Sequence, residues 1–113
     1  MKKINWGILA AGRISSWFCT GLQTVSNANI LAIGSRSQEK AEQFGDRFGI
    51  ERRYGSYEEL VNDPDIDVIY VGVPSRWHHE YTMLALRAGK NVVCEKPFSM
   101  NAKDTKEQIT YAR

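Results

Sequence analysis

Gly7-Ile-Leu-Ala-Ala-Gly-Arg-Ile-Ser15 joins a short apolar run to a stretch of helical periodicity. The run, Ile4 to Ala10, has no helical spacing, and its length suits a strand covered on both faces. From Arg13 onward Ile14, Phe18, Leu22 and Val25 recur at helical spacing, and Asn27 stands where a helix should stop. Aligned with the glycine fingerprint of a strand-turn-helix, Ala10, Gly12 and Ser15 occupy the three glycine positions. Only the middle one is glycine, and that position most needs a bare Cα, because there the backbone approaches a pyrophosphate at the positive end of a helix. Ala10, Ala11, Gly12, Arg13 and Ile14 are therefore candidate cofactor-binding residues. Alone, the loop fits a tight ligand-free turn as well.

Working outward, Asn29 to Gly34 reads as a second strand, after which Ser37 can cap a helix with the stripe Ala41, Phe44 and Phe48, closed by Gly49. A minor strand near Arg53 and Tyr54 precedes a capping box, Ser56 with Glu59, that opens a short helix through Tyr57, Leu60 and Val61. Asp67 to Val73 is a buried-type strand, followed by a helix carrying Tyr81, Leu84, Ala85 and Ala88 and stopped by Gly89. Asn91 to Cys94 is the next strand. Pro97 breaks it, and Asn101 caps a final helix with Ala102, Thr105, Ile109 and Ala112 inward. Strands alternating with helices imply parallel pairing and right-handed crossovers, hence one doubly wound α/β domain over residues 1–113. Ligands of such a sheet bind outside the carboxyl ends of its strands.

The 113 residues fit one domain, and a net charge of +2 with basic and acidic residues interspersed gives no footprint for nucleic acid or membrane lipid. The apolar stretch Ile8 to Ala11 is too short for a signal or membrane span, so a cytoplasmic location is expected. Cys19 and Cys94 lie far apart in buried-type contexts and read as reduced structural thiols.

Cofactor choice is written at the end of the second strand, where an acid about 20 residues past the glycines binds a ribose 2′-hydroxyl or a base receives a 2′-phosphate. Here stands Ser35-Arg36-Ser37, with no acid until Glu39 and with Lys40 one turn on. Arg36 offers a planar cation for phosphate and adenine, and the serines add hydroxyl donors, which favours NADP over NAD. The competing reading makes Ser37 a helix cap and Arg36 a solvated side chain. After the long central strand, Val73-Pro-Ser-Arg-Trp-His-His79 places Val73, Pro74, Ser75 and His78 at the same edge; Ser75 can also be a simple N-cap. His78 near a helix N-terminus is expected to stay neutral, and adjacent His78 and His79 point about 100° apart, so no metal site is expected. Cys94-Glu-Lys-Pro97 ends the last strand. Lys96 is the catalytic candidate, able to bind a substrate hydroxyl or carbonyl and assist its proton, with Glu95 supporting its charge. As a bare residue pair, Glu95 and Lys96 also fit a surface ion pair beside a turn proline.

Four segments, Trp6 to Ile14, Tyr54 to Leu60, Val73 to His78 and Ala88 to Pro97, together resemble the glucose-fructose oxidoreductase, inositol dehydrogenase and MocA (Gfo/Idh/MocA) family, most nearly its dihydrodiol dehydrogenase-like members. The most specific is Ala88-Gly-Lys-Asn-Val-Val-Cys-Glu-Lys-Pro97. The resemblance implies a Rossmann domain and an NADP- or NAD-dependent enzyme that moves a hydride between nicotinamide and a hydroxyl-bearing carbon of a small sugar, polyol or diol. It implies that Lys96 contacts substrate and nicotinamide ribose and that the Lys96-Pro97 bond is cis. Pro74 and His78 match the family's Pro-Asn-x-x-His turn beside the nicotinamide, with Ser75 in place of asparagine.

The family's remaining acid/base residues lie in a C-terminal substrate domain that these 113 residues do not contain. The expectation is a chain that binds dinucleotide weakly or not at all and shows no turnover, with a sheet edge and an apolar surface left uncovered and a homo-oligomer open to it. Two rivals remain: a non-catalytic dinucleotide-binding or sensor domain, which needs no Lys96, and a folded fragment without cofactor.

Overall fold

In a computed structural model, which describes residues 3–73 and 75–94, strands and helices alternate. They run β1 (Ile4–Leu9), α1 (Arg13–Leu22), β2 (Ala28–Gly34), α2 (Gln38–Phe48), β3 (Arg52–Tyr54), α3 (Tyr57–Val61), β4 (Val68–Val71), a 3₁₀ turn (Ser75–Trp77), α4 (His78–Arg87) and β5 (Asn91–Cys94). Every strand pair is parallel, in the order β3-β2-β1-β4-β5. The order reverses between β1 and β4, so the crossovers α1 and α2 lie on one face and α3 and α4 on the other. The doubly wound α/β expectation holds. The final helix from Asn101, the Lys96-Pro97 bond, Glu95, Lys96 and Pro74 lie outside the described residues.

Strand alternation sorts the core. Ile8, Ile33 and Tyr70 meet Cys19 and Phe18 of α1 and Phe44 and Phe48 of α2 on one face. Leu9, Ala32, Ile69 and Val71 meet Tyr57, Leu60 and Val61 of α3 and Ala85 of α4 on the other. On the first face Phe18 stacks on Tyr70 with centroids 3.8 Å apart and planes 6° from parallel. Burial there pushes the Cys19 thiol up to about 12, which keeps it protonated.

Local chemistry sets the ends of the helices. Ser37 Oγ accepts from Lys40 N at 3.3 Å, and Gly49 closes α2 at φ +67°. Ser56 Oγ accepts from Glu59 N at 3.2 Å and donates to Glu59 Oε1 at 3.1 Å, a capping box closed through the hydroxyl. Two expectations need correction. Val25 is not on the α1 stripe: Thr24 Oγ1 donates to Gly21 O at 2.7 Å, the last turn tightens, and Val25 is exposed. Ser75 does not hold the N-cap position of α4: the 3₁₀ turn intervenes and Trp77 takes it. Among the described residues no helix is long and apolar enough to cross a membrane.

The amino ends of the strands are tied by polar side chains. Asn29 Nδ2 donates to Asn5 Oδ1 at 3.0 Å, and Asn5 Nδ2 to Asp65 O at 2.9 Å. Asp63, almost fully buried, accepts from Arg52 Nη1, Tyr54 OH and Asp65 N at 2.8–2.9 Å, while Lys90 Nζ donates to the Asp63 and Ile66 carbonyls at 2.6 and 2.9 Å. Burial alone would raise the Asp63 carboxyl, but the Asp65 N–H, Arg52 and the Tyr54 hydroxyl outweigh it and hold it below the ordinary carboxylate value.

Candidate functional site at the carboxyl edge of the sheet

Backbone bonds carry three loops past the strand ends and hold them together. Ala10 N donates to Gly34 O at 2.9 Å, Ser35 N to Tyr54 O at 3.0 Å and Gly72 N to Leu9 O at 2.9 Å. Ala10 makes this turn at φ +97°, in the region that favours glycine. Its small side chain tolerates the strain, whereas a β-branched one would not. Ala10→Val is expected to lower stability by about 2 kcal/mol in urea titration, with Ala10→Gly within about 1 kcal/mol of the parent; a valine variant as stable as the parent would contradict the strained turn.

Gly12, the N-cap of α1, has φ −105° and ψ −175°, a conformation open to any residue, and a Cβ built on it meets nothing within 4 Å. Neither backbone nor packing requires glycine there. What its bare Cα leaves clear is the space before the first N–H groups of α1, which no side chain caps. Those residues fit a pyrophosphate. The third fingerprint position needs a close helix-strand approach, and Ser15, fully buried, achieves it because the facing residue of the β4 loop is Gly72.

Next to this turn, Ala11, Gly12, Ser35, Arg36, Ser37, Lys40 and Tyr57 line a cavity of about 520 Å³. Among the described residues no carboxylate lines it. Ser35 Oγ accepts from Ser37 N at 3.2 Å and Ser37 Oγ from Lys40 N, so both hydroxyl protons remain to donate outward. Ser37 is thus a helix cap and a wall of the cavity at once, and the two readings of this segment are compatible. Arg36 and Lys40 are exposed cations. Tyr57 was missed in the sequence because its apolar helix face reads as core. Its ring packs edge-on against Tyr81 with centroids 4.8 Å apart; burial raises its phenol, Tyr81 adds to this, and Arg36 opposes it. Its placement at the start of the helix after β3, on the carboxyl edge of the sheet, was the available signal.

The other expected site residues divide. Arg13 faces a different cavity, between α1 and α2. The Ile14 side chain packs into the core, leaving its backbone for a ligand. Val73, buried, follows Gly72 at the same edge, and His78, buried, is the first residue of α4; neither lines the Arg36 cavity.

Comparison with known proteins gives the family of the chain and its similar folds. The family model described as oxidoreductases with an NAD-binding Rossmann fold, Gfo/Idh/MocA, matches residues 4–113. The trans-1,2-dihydrobenzene-1,2-diol dehydrogenase of Xenopus tropicalis is 46% identical over 111 residues, 96% of this chain and 34% of the relative. The human protein of the same name is 41% identical over 112 residues, 97% of this chain and 34% of its own. The chain thus spans about a third of the length of the curated relatives it matches. Among solved structures, KijD10, a 3-ketoreductase from Actinomadura kijaniata in complex with TDP-benzene and NADP, superposes with a TM-score of 0.83 at 31% identity, covering 98% of this chain and 35% of that one. An NAD binding oxidoreductase from Klebsiella pneumoniae gives a TM-score of 0.83 at 29% identity, covering 97% and 31%.

Proposed function

We propose, from the premise that this chain belongs to the Gfo/Idh/MocA oxidoreductase family with its NAD-binding Rossmann fold, that it is the cofactor domain of an NADP-dependent enzyme transferring a hydride between nicotinamide and a hydroxyl-bearing carbon of a diol, polyol or sugar. The observation that carries the cofactor choice is the cavity beside Gly12, where Arg36 and Lys40 stand with two serine hydroxyls and no carboxylate. A ribose 2′-hydroxyl would find no acceptor carboxylate there, whereas a 2′-phosphate would find two cations and two donors.

NADP, when bound, supplies the nicotinamide that exchanges a hydride. The chain's own part is to hold it: Gly12 and the N–H groups of Arg13 and Ile14 for the pyrophosphate, Ser35, Arg36, Ser37 and Lys40 for the adenosine phosphate, and Val73, Pro74, Ser75 and His78 along the β4 loop. Lys96, with Glu95 beside it, moves the proton of the substrate hydroxyl; this role rests on the match of Glu95-Lys96-Pro97 to the family's motif. The family resemblance assigns the substrate contacts to a further domain, so turnover is to be measured in a chain of the relatives' length, about three times this one.

Calorimetric titration of a chain of the relatives' length tests the cofactor choice. NADP is expected to bind at least about tenfold tighter than NAD, and Arg36→Ala to weaken NADP about 30-fold while leaving NAD nearly unchanged. Equal affinities in the parent would overturn the assignment.

A further inference from the structure

The Arg36 cavity and His78 lie on different elements, and a ring contact joins them. Ala11 and Gly12 reach the cavity from the first strand-to-helix turn and Ser35 to Lys40 from the second, whereas Tyr57 enters it from α3. That helix is braced against the end of β2: Leu60 comes so close to Gly34 that a Cβ there would meet Leu60 Cβ at 2.8 Å. The wall formed by Tyr57 is therefore fixed to the strand that presents Arg36. On its other side the Tyr57 ring meets Tyr81 of α4 edge-on, with centroids 4.8 Å apart and planes 75° from parallel. Tyr81 does not line the cavity; half-buried, it packs on the core cluster that holds Leu60 and Ala85. It stands three residues after His78, hence on the same face of α4, and His78 is 3% exposed as the first residue of that helix.

We infer that Tyr81 is a positioning residue: through the Tyr57 ring it ties the wall of the Arg36 cavity to the first turn of α4, so that the adenosine and nicotinamide ends of the cofactor each strengthen the other's binding. The inference rests on the reading that the Arg36 cavity takes the adenosine phosphate and the β4 loop with His78 the nicotinamide. A group seated against Tyr57 restricts its ring, the ring holds Tyr81, and Tyr81 steadies the turn that carries His78. By linkage the effect runs equally in both directions.

Titration of a chain of the relatives' length with adenosine 2′-phosphate and nicotinamide mononucleotide, two pieces of the dinucleotide that share no phosphate, tests this without turnover. With adenosine 2′-phosphate saturating, nicotinamide mononucleotide is expected to bind about fivefold tighter than alone, and the reverse titration to give the same factor. Tyr81→Leu should reduce that factor to below about twofold while adenosine 2′-phosphate alone binds within about twofold of the parent, because Tyr81 does not line the cavity. Tyr81→Phe, which keeps the ring, should keep the factor, a rescue that loss of a merely structural residue would not show in this readout. Tyr57→Leu removes the contact from the other side and should also abolish the factor, which serves where Tyr81→Leu does not fold. No coupling in the parent, or coupling unchanged in the leucine variants, would overturn the inference. Adenosine binding as tightly as adenosine 2′-phosphate would overturn the NADP assignment instead, and the coupling is then measured with adenosine.

Discussion

Gly72→Ala is expected to lower stability by about 3 kcal/mol and the thermal midpoint by about 10 °C. A Cβ at this position would run into Ser15 Oγ, with Tyr70 Cε2 at 3.1 Å and Ser15 Cβ at 3.3 Å. None of these atoms can retreat cheaply. Ser15 is fully buried in the first turn of α1, and Tyr70 is pinned by its stack on Phe18. The clash therefore pushes α1 away from β4 at the turn that carries Gly12. Ser15→Ala removes the nearest atom, so the double variant should recover about half of the loss. Differential scanning calorimetry of the two single variants and the double one decides it, and additive effects would show that the two residues do not press on each other.

The second large effect belongs to Asp63. Asp63→Asn should lose about 2–3 kcal/mol in urea titration, because Arg52 and the Tyr54 hydroxyl lose a charged acceptor in a buried setting, tempered by the partial exposure of Arg52. The sign of the pH dependence follows from the lowered carboxyl. Its stabilisation is fully present above the unfolded carboxylate value of about 4 and disappears as pH falls through the lower folded value. Acid titration of stability should therefore be shallower in the asparagine variant below about pH 4. Parallel acid limbs would remove the carboxylate from the account.

Much of the fold was legible because caps and periodicities agree. Ser37, Gly49, Ser56 and Gly89 punctuate helices whose apolar stripes match the faces they bury. The Arg36 segment was legible for a similar reason: four of its residues act within one strand-to-helix turn. Contacts between distant segments were not. Tyr57 reaches the same cavity from a helix two elements later, and Ser16 and Arg47 line one cavity from two different helices. The dependence of Ser15 on Gly72 was equally hidden, since a fingerprint counts glycines along one segment while the sheet shares the requirement between two. Ala10 breaks the rule for a positive φ, and the strain it accepts shows only in the folded turn, at φ +97°.

The polar ties at the amino ends of the strands have a consequence for how such a domain can diverge. Asn5, Asn29, Arg52, Asp63 and Lys90 fasten the edge opposite the Gly12 turn, and none of them lines either cavity. The exposed cations Arg36, Lys40 and Arg13 lie by the Gly12 turn, and none of them pairs with a carboxylate among the described residues. The exposed cations of one margin can thus change without touching the ties of the other. A lineage could exchange one anion preference for another at those exposed cations, because none of them belongs to the ties that fasten the strands at the opposite margin.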